Sequence, residues 1–449
     1  MAGAAGNSAH WSSRFAFIMA SVGFAVGLGN IWRFPYVTGE NGGSAFVLIY
    51  LACAVAIGIP CLIAELMIGR RGQMSPPNAM ARVAKESGKS SLWSGVGGLG
   101  VLTAFTISVT YAVVVGWVLA YLFKAVMTGF SGVDATVASS EFDALLASSG
   151  GMLFWTLVGN LLVGAIIFAG VKDGIERAVS IMMPLMFALL VGLSVYNIYA
   201  GGFNETLEWL FTPDFSKVGP DTLLAAVGQA FFSIGVGMGG MMTYGSYLPR
   251  SFSITGAAAV VVFADTMVAL LAGFVVFPAV FNYGLDISSG AGLIFQTLPV
   301  AFAQMPGGHL FAVLFFIMLT VAGVTSMVGL LESVTNWIDS RFSINRHVGA
   351  AVVVGVATLC SVASVLSYNV WANIGIAGMN FNEFTEFLYA QLFLPAGGLL
   401  IALFAGWFML REHSADEIAT SPGIYQSWRL LIRFVAVPAI AIILVTGLM

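Results

Sequence analysis

The sequence predicts an all-α, polytopic membrane protein of about 11 transmembrane helices, built as a 5+5 inverted repeat with helices 1 and 6 broken. Of its 449 residues, 59% are hydrophobic and only 8% are charged. That charged share is about a third of the usual share in a soluble domain, so the chain cannot cover a water-facing surface with polar groups. Long apolar runs recur along the whole chain, and clusters of glycine interrupt two of them.

Eleven apolar runs are long enough to cross a hydrocarbon core of about 30 Å, which takes roughly 20 residues of helix. The predicted spans, numbered in chain order, are 14–37, 43–69, 92–127, 152–170, 178–200, 222–247, 257–282, 309–339, 348–368, 384–410 and 424–448. Segment 284–306, before the eighth span, is rich in glycine, contains Pro299 and Pro306, and is too polar to span. We expect it to form a structured outer loop that dips back toward the protein.

The distribution of Lys and Arg among the loops predicts the orientation of the chain. Basic residues follow the even-numbered spans; they are Arg70, Arg71, Arg82, Lys85, Lys89, Lys172, Arg177, Arg250, Arg341, Arg346 and Arg411. The opposite loops are mostly acidic. We therefore expect a multi-pass protein of the inner (plasma) membrane with a cytoplasmic N-terminus. No signal-peptide pattern precedes the first span, so we expect that span to be retained.

Charge, cysteine and histidine usage argue against several classes of protein. The net charge of -4 comes without a basic or acidic tail, so nucleic-acid binding is not indicated. Cys53, Cys61 and Cys360 all lie inside apolar runs without metal-ligand spacing, so no disulfide framework is implied. The four histidines are scattered near loops and fit no hydrolytic or metal-dependent enzyme; they are His10, His309, His347 and His413.

Two glycine clusters occupy corresponding positions in the two halves of the chain. Residues 27–30 interrupt the first span, and residues 235–240 interrupt the sixth, five spans later. Glycine in a membrane helix often serves only close packing, but the paired positions favour two repeats of opposite orientation, whose broken helices meet at a midplane binding site. We expect a single transmembrane domain, with a first repeat at 1–201, a second at 222–410 and an added helix at 424–448.

Oxygen-bearing side chains flank both breaks. An unwound helix exposes carbonyl oxygens that need a partner in the membrane, and a hard cation such as sodium suits oxygen ligands. Asn30 and Ser233 lie beside the breaks, and Asp265 lies in the next span. A carboxylate surrounded by Val, Phe and Leu is costly in lipid and normally marks an ion or substrate path.

The eighth span carries a second set of oxygens on one helix face, because Ala322, Thr325 and Ser326 are spaced i, i+3 and i+4. Hydroxyl groups in apolar helices usually bond their own backbone or a neighbouring helix. The residues alone therefore leave a cation site and a purely structural role both open.

Four further charged residues lie within or beside the spans. Arg33, on the outer side of the first break, needs an acidic partner, and Glu386 at the outer start of the tenth span offers one. Such a pair would close a site from outside, although Arg33 snorkelling to the interface is the competing interpretation. Glu65 is expected to anchor structure, and Glu332 fits either a structural or a functional role.

Several sequence blocks are specific to one family. The strongest is Ala25-Val26-Gly27-Leu28-Gly29-Asn30-Ile31-Trp32-Arg33-Phe34-Pro35, with Glu40-Asn41-Gly42-Gly43 after it. Others are Tyr111 with Gly116-Trp117, Gln229-Ala230-Phe231-Phe232-Ser233, Ala322-Gly323-Val324-Thr325-Ser326 and Leu394-Pro395-Ala396-Gly397-Gly398. Over nearly the whole chain, the sequence resembles the neurotransmitter:sodium symporters.

The resemblance implies the fold of the bacterial leucine transporter, alternating access driven by sodium, and a set of site residues. One of two sodium ions would touch the substrate carboxylate and Ala25, Asn30, Ser233 and Asp265. The other would touch Gly23, Val26, Ala322, Thr325 and Ser326. The substrate would lie against Phe24, Ala25, Gly29, Ile107, Tyr111, Phe232, Ser233, Gly235, Met238, Ser326 and Leu330.

The resemblance also implies the class of substrate. Relatives that carry monoamines have an aspartate where this chain has Gly27, so the substrate here is expected to bring its own carboxylate, bound by sodium and the Tyr111 hydroxyl. Phe232 would act as a lid. The side-chain pocket is apolar, and Gly235 leaves room for a bulky group, which predicts a hydrophobic or aromatic amino acid.

This chain departs from the family pattern in three respects. No basic residue precedes Trp11 to latch the inner gate to Asp339, because residues 8–10 are Ser, Ala and His. Asp265 stands where many members have asparagine, and Ala269 lacks the acid of chloride-independent relatives; we expect Asp265 to supply the charge that chloride provides elsewhere. Eleven spans replace the usual twelve, so no dimer contact through a twelfth helix is expected.

Two other functions fit the same residues. The chain is expected to import an amino acid with sodium, but a proton-coupled carrier of the same fold would instead titrate Asp265 or Glu332. A membrane sensor would bind an amino acid without moving it. Sodium dependence separates the first two functions, and uptake separates both carriers from the sensor. The expected partners are the lipid bilayer and a small-molecule substrate; the oligomeric state is not specified.

Overall fold

A computed structural model describes residues 10–285 and 290–448, and it confirms the predicted all-α membrane fold. In this part of the chain, nine helices are long and apolar enough to cross a membrane, and a bent helix pair makes a tenth. The nine helices are Ser44–Gly72, Ser91–Thr128, Ser149–Phe168, Val171–Ala200, Ile254–Asn282, Gly308–Phe342, Arg346–Leu366, Phe381–Phe408 and Pro422–Thr446. They correspond to the second to fifth spans and the seventh to eleventh.

The first span is the bent pair, Arg14–Ala25 and Gly29–Glu40, whose axes differ by 52°. The sixth span is also broken, into Pro220–Ile234 and Gly240–Ser246. Counting both broken spans gives eleven segments, which agrees with the predicted number. The two breaks lie five spans apart, which is consistent with an inverted repeat.

The break in the sixth span follows from its glycines. Gly235, Gly237 and Gly239 have φ values of 72°, 91° and 69°, a left-handed region that side chains with a Cβ rarely adopt. A helix cannot continue through these angles, so it stops at Ile234 and restarts at Gly240. The backbone of residues 235–239 therefore lies at mid-span, where its N–H and C=O groups are available to bind other groups.

Shorter elements connect the spans. They are the helices Pro76–Glu86, Ala135–Ala147, Phe203–Phe211, Leu293–Gln304 and Arg411–Ile418, the 3-10 turns Ser91–Trp93 and Phe215–Lys217, and an antiparallel pair of strands, Gly375–Ile376 and Met379–Asn380. Leu293–Gln304 lies in the segment predicted to dip back. Its Phe295 ring is fully buried against Trp32 and Trp117, with centroids 6.2 and 5.8 Å away.

Burial separates central spans from peripheral ones. The apolar window of Gly308–Phe342 is 78% buried, whereas that of Pro422–Thr446 is 17% buried. The eighth span therefore lies in the middle of the bundle, against the first span, and the eleventh lies at its edge. We call the end of the bundle that holds Trp11 the inner end and the opposite end the outer end.

Candidate functional site

Asn30, Ser233 and Asp265 meet at the two breaks in one hydrogen-bonded cluster, which we call the first oxygen cluster. The Asn30 amide nitrogen donates to Asp265 Oδ1 at 2.7 Å, to the Asp265 carbonyl at 3.1 Å and to Ser233 Oγ at 3.0 Å. The Ser233 hydroxyl donates to Asp265 Oδ2 at 2.7 Å. The Asn30 side-chain oxygen accepts from the Gly27 backbone at 3.0 Å. Ala25, at the end of the first half-helix, is buried beside them.

The charge of the first oxygen cluster is not balanced by a basic side chain. Asp265 is 0% exposed, and within residues 10–285 and 290–448 no Lys, Arg or His forms an ion pair with it. A buried carboxylate is very costly unless a cation or a proton compensates it. The site therefore favours binding of a cation, and its oxygens are the ligands that a hard cation prefers.

A second oxygen cluster lies where the eighth span packs on the first. Ser326 Oγ is 3.2 Å from the Gly23 carbonyl oxygen and 3.1 Å from that of Val26. Thr325 Oγ1 is 3.2 Å from the Ala322 carbonyl oxygen and 2.9 Å from that of Val321. All five residues predicted for the second sodium ion are thus adjacent. Gly23 permits this approach, since a Cβ there would lie 3.2 Å from Thr325 Cβ.

A small cavity of about 50 Å³ lies between the two clusters. All eleven residues predicted to contact substrate line it, and Gly27 and Asn30 line it as well. Its volume holds about three water molecules, less than an amino acid requires. Binding of an amino acid therefore requires some of these side chains to move.

Polar groups converge on Gly27 at one end of this central cavity. A Cβ on Gly27 would lie 2.7 Å from Ser326 Oγ and 2.8 Å from the Tyr111 hydroxyl oxygen. That hydroxyl accepts from the Leu28 backbone nitrogen at 2.9 Å and can donate its own proton to an anion. The arrangement suits a carboxylate at this end of the cavity.

Phe24 occupies the space beside Gly235. A Cβ on Gly235 would lie 2.9 Å from Phe24 Cε1, and Cβ atoms on Gly240 and Gly329 would also meet that ring. The room predicted at Gly235 for a bulky substrate is therefore taken up by the Phe24 ring in this conformation. Displacement of the Phe24 ring would enlarge the cavity.

A larger cavity of about 430 Å³ opens on the outer side and shares Gly29, Tyr111 and Phe232 with the central one. Arg33 and Glu386 both line it. In the described part of the chain they form no ion pair; instead Arg33 Nη1 donates to Gln229 Oε1 at 2.9 Å. The Arg33 guanidinium carbon also lies 4.8 Å from the Phe232 ring centroid. The predicted outer pair is thus separated, and Gln229 is a partner that the sequence did not suggest.

The inner end is closed by the segment that precedes the first span. Trp11 is 3% exposed, and its indole nitrogen donates to the Tyr244 carbonyl at 2.9 Å. Its backbone nitrogen donates to the Tyr247 carbonyl at 3.2 Å. The Ser12 backbone nitrogen donates to Glu176 Oε1 at 2.8 Å, and the Ser12 hydroxyl donates to the other carboxylate oxygen. Trp11 and Ser12 thus hold the segment before the first span against the inner end of the bundle.

An ion pair between a half-buried arginine and a buried glutamate adds to this inner closure. Arg346, at the start of the ninth span, pairs with Glu332 through two hydrogen bonds of 3.0 and 2.5 Å. The Tyr247 hydroxyl donates to the same carboxylate at 2.8 Å. Asp339 lies at the inner end of the eighth span, and its Oδ1 is buried without a hydrogen-bond partner among the described residues. The ion-paired carboxylate here is therefore Glu332. From residue types alone, Glu332 fits either a structural or a functional role.

Glu65 holds the unwound part of the sixth span. Its side chain is 0% exposed, and its Oε1 accepts from the Gly237 backbone nitrogen at 2.5 Å. The contact satisfies a backbone donor that the break leaves without a helical partner. The expectation that Glu65 anchors structure agrees with this bond.

Comparison with known proteins places these features in a family. The model of the sodium:neurotransmitter symporter family matches residues 8–142 and 140–449. An uncharacterised sodium-dependent transporter of Haemophilus influenzae is 31% identical over 98% of each chain, and one from Bacillus subtilis is 33% identical over 96% of each. The crystal structure of MhsT in complex with L-phenylalanine is similar with a TM-score of 0.90 and 39% identity, covering 98% of this chain and 99% of that one.

Proposed function

This chain belongs to the sodium:neurotransmitter symporter family, and we propose that it imports a hydrophobic or aromatic amino acid together with two sodium ions. Sodium-dependent transport of a small molecule follows from the family, whose members are transporters and not enzymes. The amino acid, the two ions and the independence from chloride are the finer parts of the proposal.

The buried Asp265 carboxylate is the observation on which the proposal chiefly rests. It is bonded by Asn30 and Ser233 but faces no basic side chain among the described residues. A sodium ion beside Ala25 would neutralise the Asp265 carboxylate. Oxygens of the same three side chains would coordinate the ion. Because the charge is already present in the protein, chloride is not needed to balance the ion.

The second oxygen cluster supports a second sodium ion. The Ser326 hydroxyl bonds two carbonyl oxygens of the broken first span, Gly23 and Val26, across the contact between two spans. An ion at this point would link the first span to the eighth through Ala322 and Thr325 as well. Binding of sodium would thus hold two segments together that must separate when the inner end opens.

The substrate class follows from the two ends of the central cavity. Gly27 provides no acid, while the Tyr111 hydroxyl and the sodium of the first oxygen cluster suit a carboxylate. The other walls are apolar; they are formed by Phe24, Ile107, Phe232, Met238 and Leu330. MhsT, the similar structure, was crystallised with L-phenylalanine, which supports an apolar side chain in the substrate here.

The closed inner end and the open outer cavity support import by alternating access. Substrate would enter from the 430 Å³ cavity past Phe232, after which Arg33 and Glu386 would approach each other to close the outer side. We place the N-terminus and Asp339 on the cytoplasmic side of an inner (plasma) membrane, in accordance with the distribution of basic loops. The trigger for inner opening would be loss of the contacts at Trp11 and Glu332.

Uptake into proteoliposomes tests the proposal. Radiolabelled leucine, tryptophan and alanine are supplied with an inward sodium gradient, and potassium replaces sodium in the control. We expect sodium-dependent accumulation of leucine and tryptophan above alanine. Sodium-dependent binding without accumulation would instead indicate a sensor, and uptake driven equally well by a proton gradient would indicate a proton-coupled carrier.

A further inference from the structure

Two arginines form a basic patch at the edge of the bundle, where the eleventh span passes the inner end of the tenth. Arg433 Nε donates to the Gly406 carbonyl at 2.5 Å, and its guanidinium carbon lies 5.3 Å from the Trp407 ring centroid. Its stem packs on Gly406, where a Cβ would lie 3.2 Å from Arg433 Cγ. Arg429 precedes Arg433 by about one helical turn. We call Trp407, Arg429 and Arg433 the basic corner.

The basic corner faces away from the protein. Arg429 and Arg433 are half-buried, and the side chains around them are exposed: Trp407 is 41% exposed, Leu430 58% and Phe434 65%. In a protein that spans the bilayer, exposed apolar side chains beside a helix contact acyl chains. The two guanidinium groups therefore lie beside side chains that would face lipid.

No carboxylate neutralises this pair. In residues 10–285 and 290–448, neither Arg429 nor Arg433 has an acidic partner within 4.0 Å, and the terminal amino groups of Arg433 donate to no protein acceptor. Like charges one turn apart on a helix repel each other. An anion placed between the two side chains would remove the repulsion and accept their free N–H groups.

The depth of Arg433 indicates where such an anion resides. About 20 Å of helix separates Arg433 from Thr446, whereas the hydrocarbon core is about 30 Å thick. An arginine this far along the span lies within the hydrocarbon unless it reaches toward the headgroups, and an unpaired arginine there is costly. The Gly406 carbonyl and the Trp407 ring hold the guanidinium toward the inner end of the tenth span, the direction in which the nearer headgroups would lie.

We propose that the basic corner binds the phosphate headgroup of an anionic phospholipid, whose acyl chains lie against Leu430 and Phe434. The two guanidinium groups would hold the phosphate oxygens, and Trp407 would contact the glycerol region, as aromatic residues do at membrane interfaces. The assignment of this leaflet as cytoplasmic rests on the proposed orientation.

Native mass spectrometry of the full chain in detergent tests the site. Phosphatidylglycerol and phosphatidylcholine with the same acyl chains are added at equal concentration to the wild type and to Arg429→Gln/Arg433→Gln. Since a basic residue near an anionic surface contributes about fivefold to binding, we expect phosphatidylglycerol to bind the double variant about thirtyfold more weakly. Phosphatidylcholine should bind both proteins equally, and glycerol phosphate in excess should not displace the bound lipid.

Arg341→Gln is the matched control. Arg341 also lies at the inner end, with its guanidinium carbon 5.7 Å from a ring centroid, that of Phe342. We expect that variant to bind phosphatidylglycerol as the wild type does. Unchanged lipid binding by the double variant, equal binding of the two lipids, or displacement by glycerol phosphate would each overturn the proposal, the last in favour of a soluble anion.

Two features keep the test decisive. Sodium-dependent thermal stabilisation reports whether the double variant is folded. If the double variant is not folded, Arg429→Gln is tested alone, because the Arg429 side chain does not pack on Gly406. We expect that single variant to bind the lipid about fivefold more weakly. Lipid binding is measured without a gradient or a transported substrate. A protein that failed to transport any amino acid would therefore still give a clear result for the basic corner.

Discussion

Asp265 is the one charged side chain of the first oxygen cluster. Asp265→Asn removes the buried charge while keeping the shape of the side chain, so a sodium ion loses its principal counter-charge. We expect sodium to support substrate binding about tenfold or more weakly (~1.4 kcal/mol), and chloride to restore part of the loss. Sodium titrations of substrate binding in chloride and in gluconate measure both effects.

A control for the charge change is available on the inner surface. Asp173 is exposed, so Asp173→Asn removes one negative charge without entering either oxygen cluster. We expect it to leave the sodium response unchanged. An Asp265→Asn protein with wild-type sodium and chloride responses would show that the carboxylate does not balance the ion.

The Tyr111 hydroxyl gives a second prediction at the level of one residue. Tyr111→Phe removes a group that accepts from the Leu28 backbone and that we assign to the substrate carboxylate. A hydrogen bond to a charged group contributes about 1.5–3 kcal/mol, so amino acid affinity should fall roughly 10- to 100-fold. Isothermal titration or a scintillation proximity assay measures this change.

Tyr121→Phe is the matched control for Tyr111→Phe. Tyr121 lies on the same span, and its hydroxyl is buried without a hydrogen-bond partner among the described residues. Removing that hydroxyl should leave affinity unchanged and cost no stability, because an unbonded buried hydroxyl is itself unfavourable. Equal losses in both variants would point to general disruption of the third span rather than to a carboxylate contact.

At the level of elements, local patterns predicted the broken spans well and the inner closure poorly. The two breaks and the spacing of Ala322, Thr325 and Ser326 are visible in contiguous sequence, because each depends on residues within one or two helical turns. The inner ion pair joins Glu332 to Arg346, and Tyr247 from another span donates to the same carboxylate. No periodicity connects such distant positions, so the sequence left Glu332 open and pointed to Asp339.

Arg33 illustrates the same limit at the outer end. The sequence offered Glu386 as its acidic partner, whereas the structure pairs Arg33 with Gln229 across the open outer cavity. A pairing that forms only when the cavity closes depends on the conformation, which residue types alone do not specify. Composition and charge distribution predicted the eleven segments, since the bilayer constrains helix length and loop charge strongly.

The inner closure leads to a prediction for the segment before the first span. Arg346→Gln leaves the buried Glu332 carboxylate without its cation, a change that typically costs 3–5 kcal/mol. We expect the inner end to open more often, so that amide hydrogen exchange accelerates at residues 11–25 and 240–247. Mass-spectrometric exchange measurements in sodium-containing buffer detect this change.

Arg341→Gln serves as the control for inner opening, because it removes an arginine from the same end that has no ion pair within the described residues. Exchange at residues 11–25 should match the wild type in that variant. If Arg346→Gln also leaves exchange unchanged, the Trp11 and Ser12 contacts alone suffice to close the inner end.

For the whole molecule, the number of sodium ions sets how far substrate can be concentrated. A tenfold sodium gradient supplies about 1.4 kcal/mol per ion, and a potential of about 100 mV supplies about 2.3 kcal/mol per charge. Two ions therefore supply about 7 kcal/mol, enough for roughly 10⁵-fold accumulation of a zwitterion. One ion would support only the square root of that ratio.

The two oxygen clusters predict the larger ratio, and Thr325→Val offers a way to reduce it. That change removes a hydroxyl from the second cluster while keeping the β-branched shape, and it leaves Asp265 in the first cluster untouched. We expect accumulation at matched gradients to approach the one-ion limit if transport continues with a single sodium, or to stop if both ions are obligatory. Sodium dependence of the uptake rate, with a Hill coefficient falling from about 2 toward 1, separates these cases.

Wild-type accumulation limited to a few hundredfold at that gradient and potential would mean that one ion is coupled, and the second oxygen cluster would then be a helix contact only.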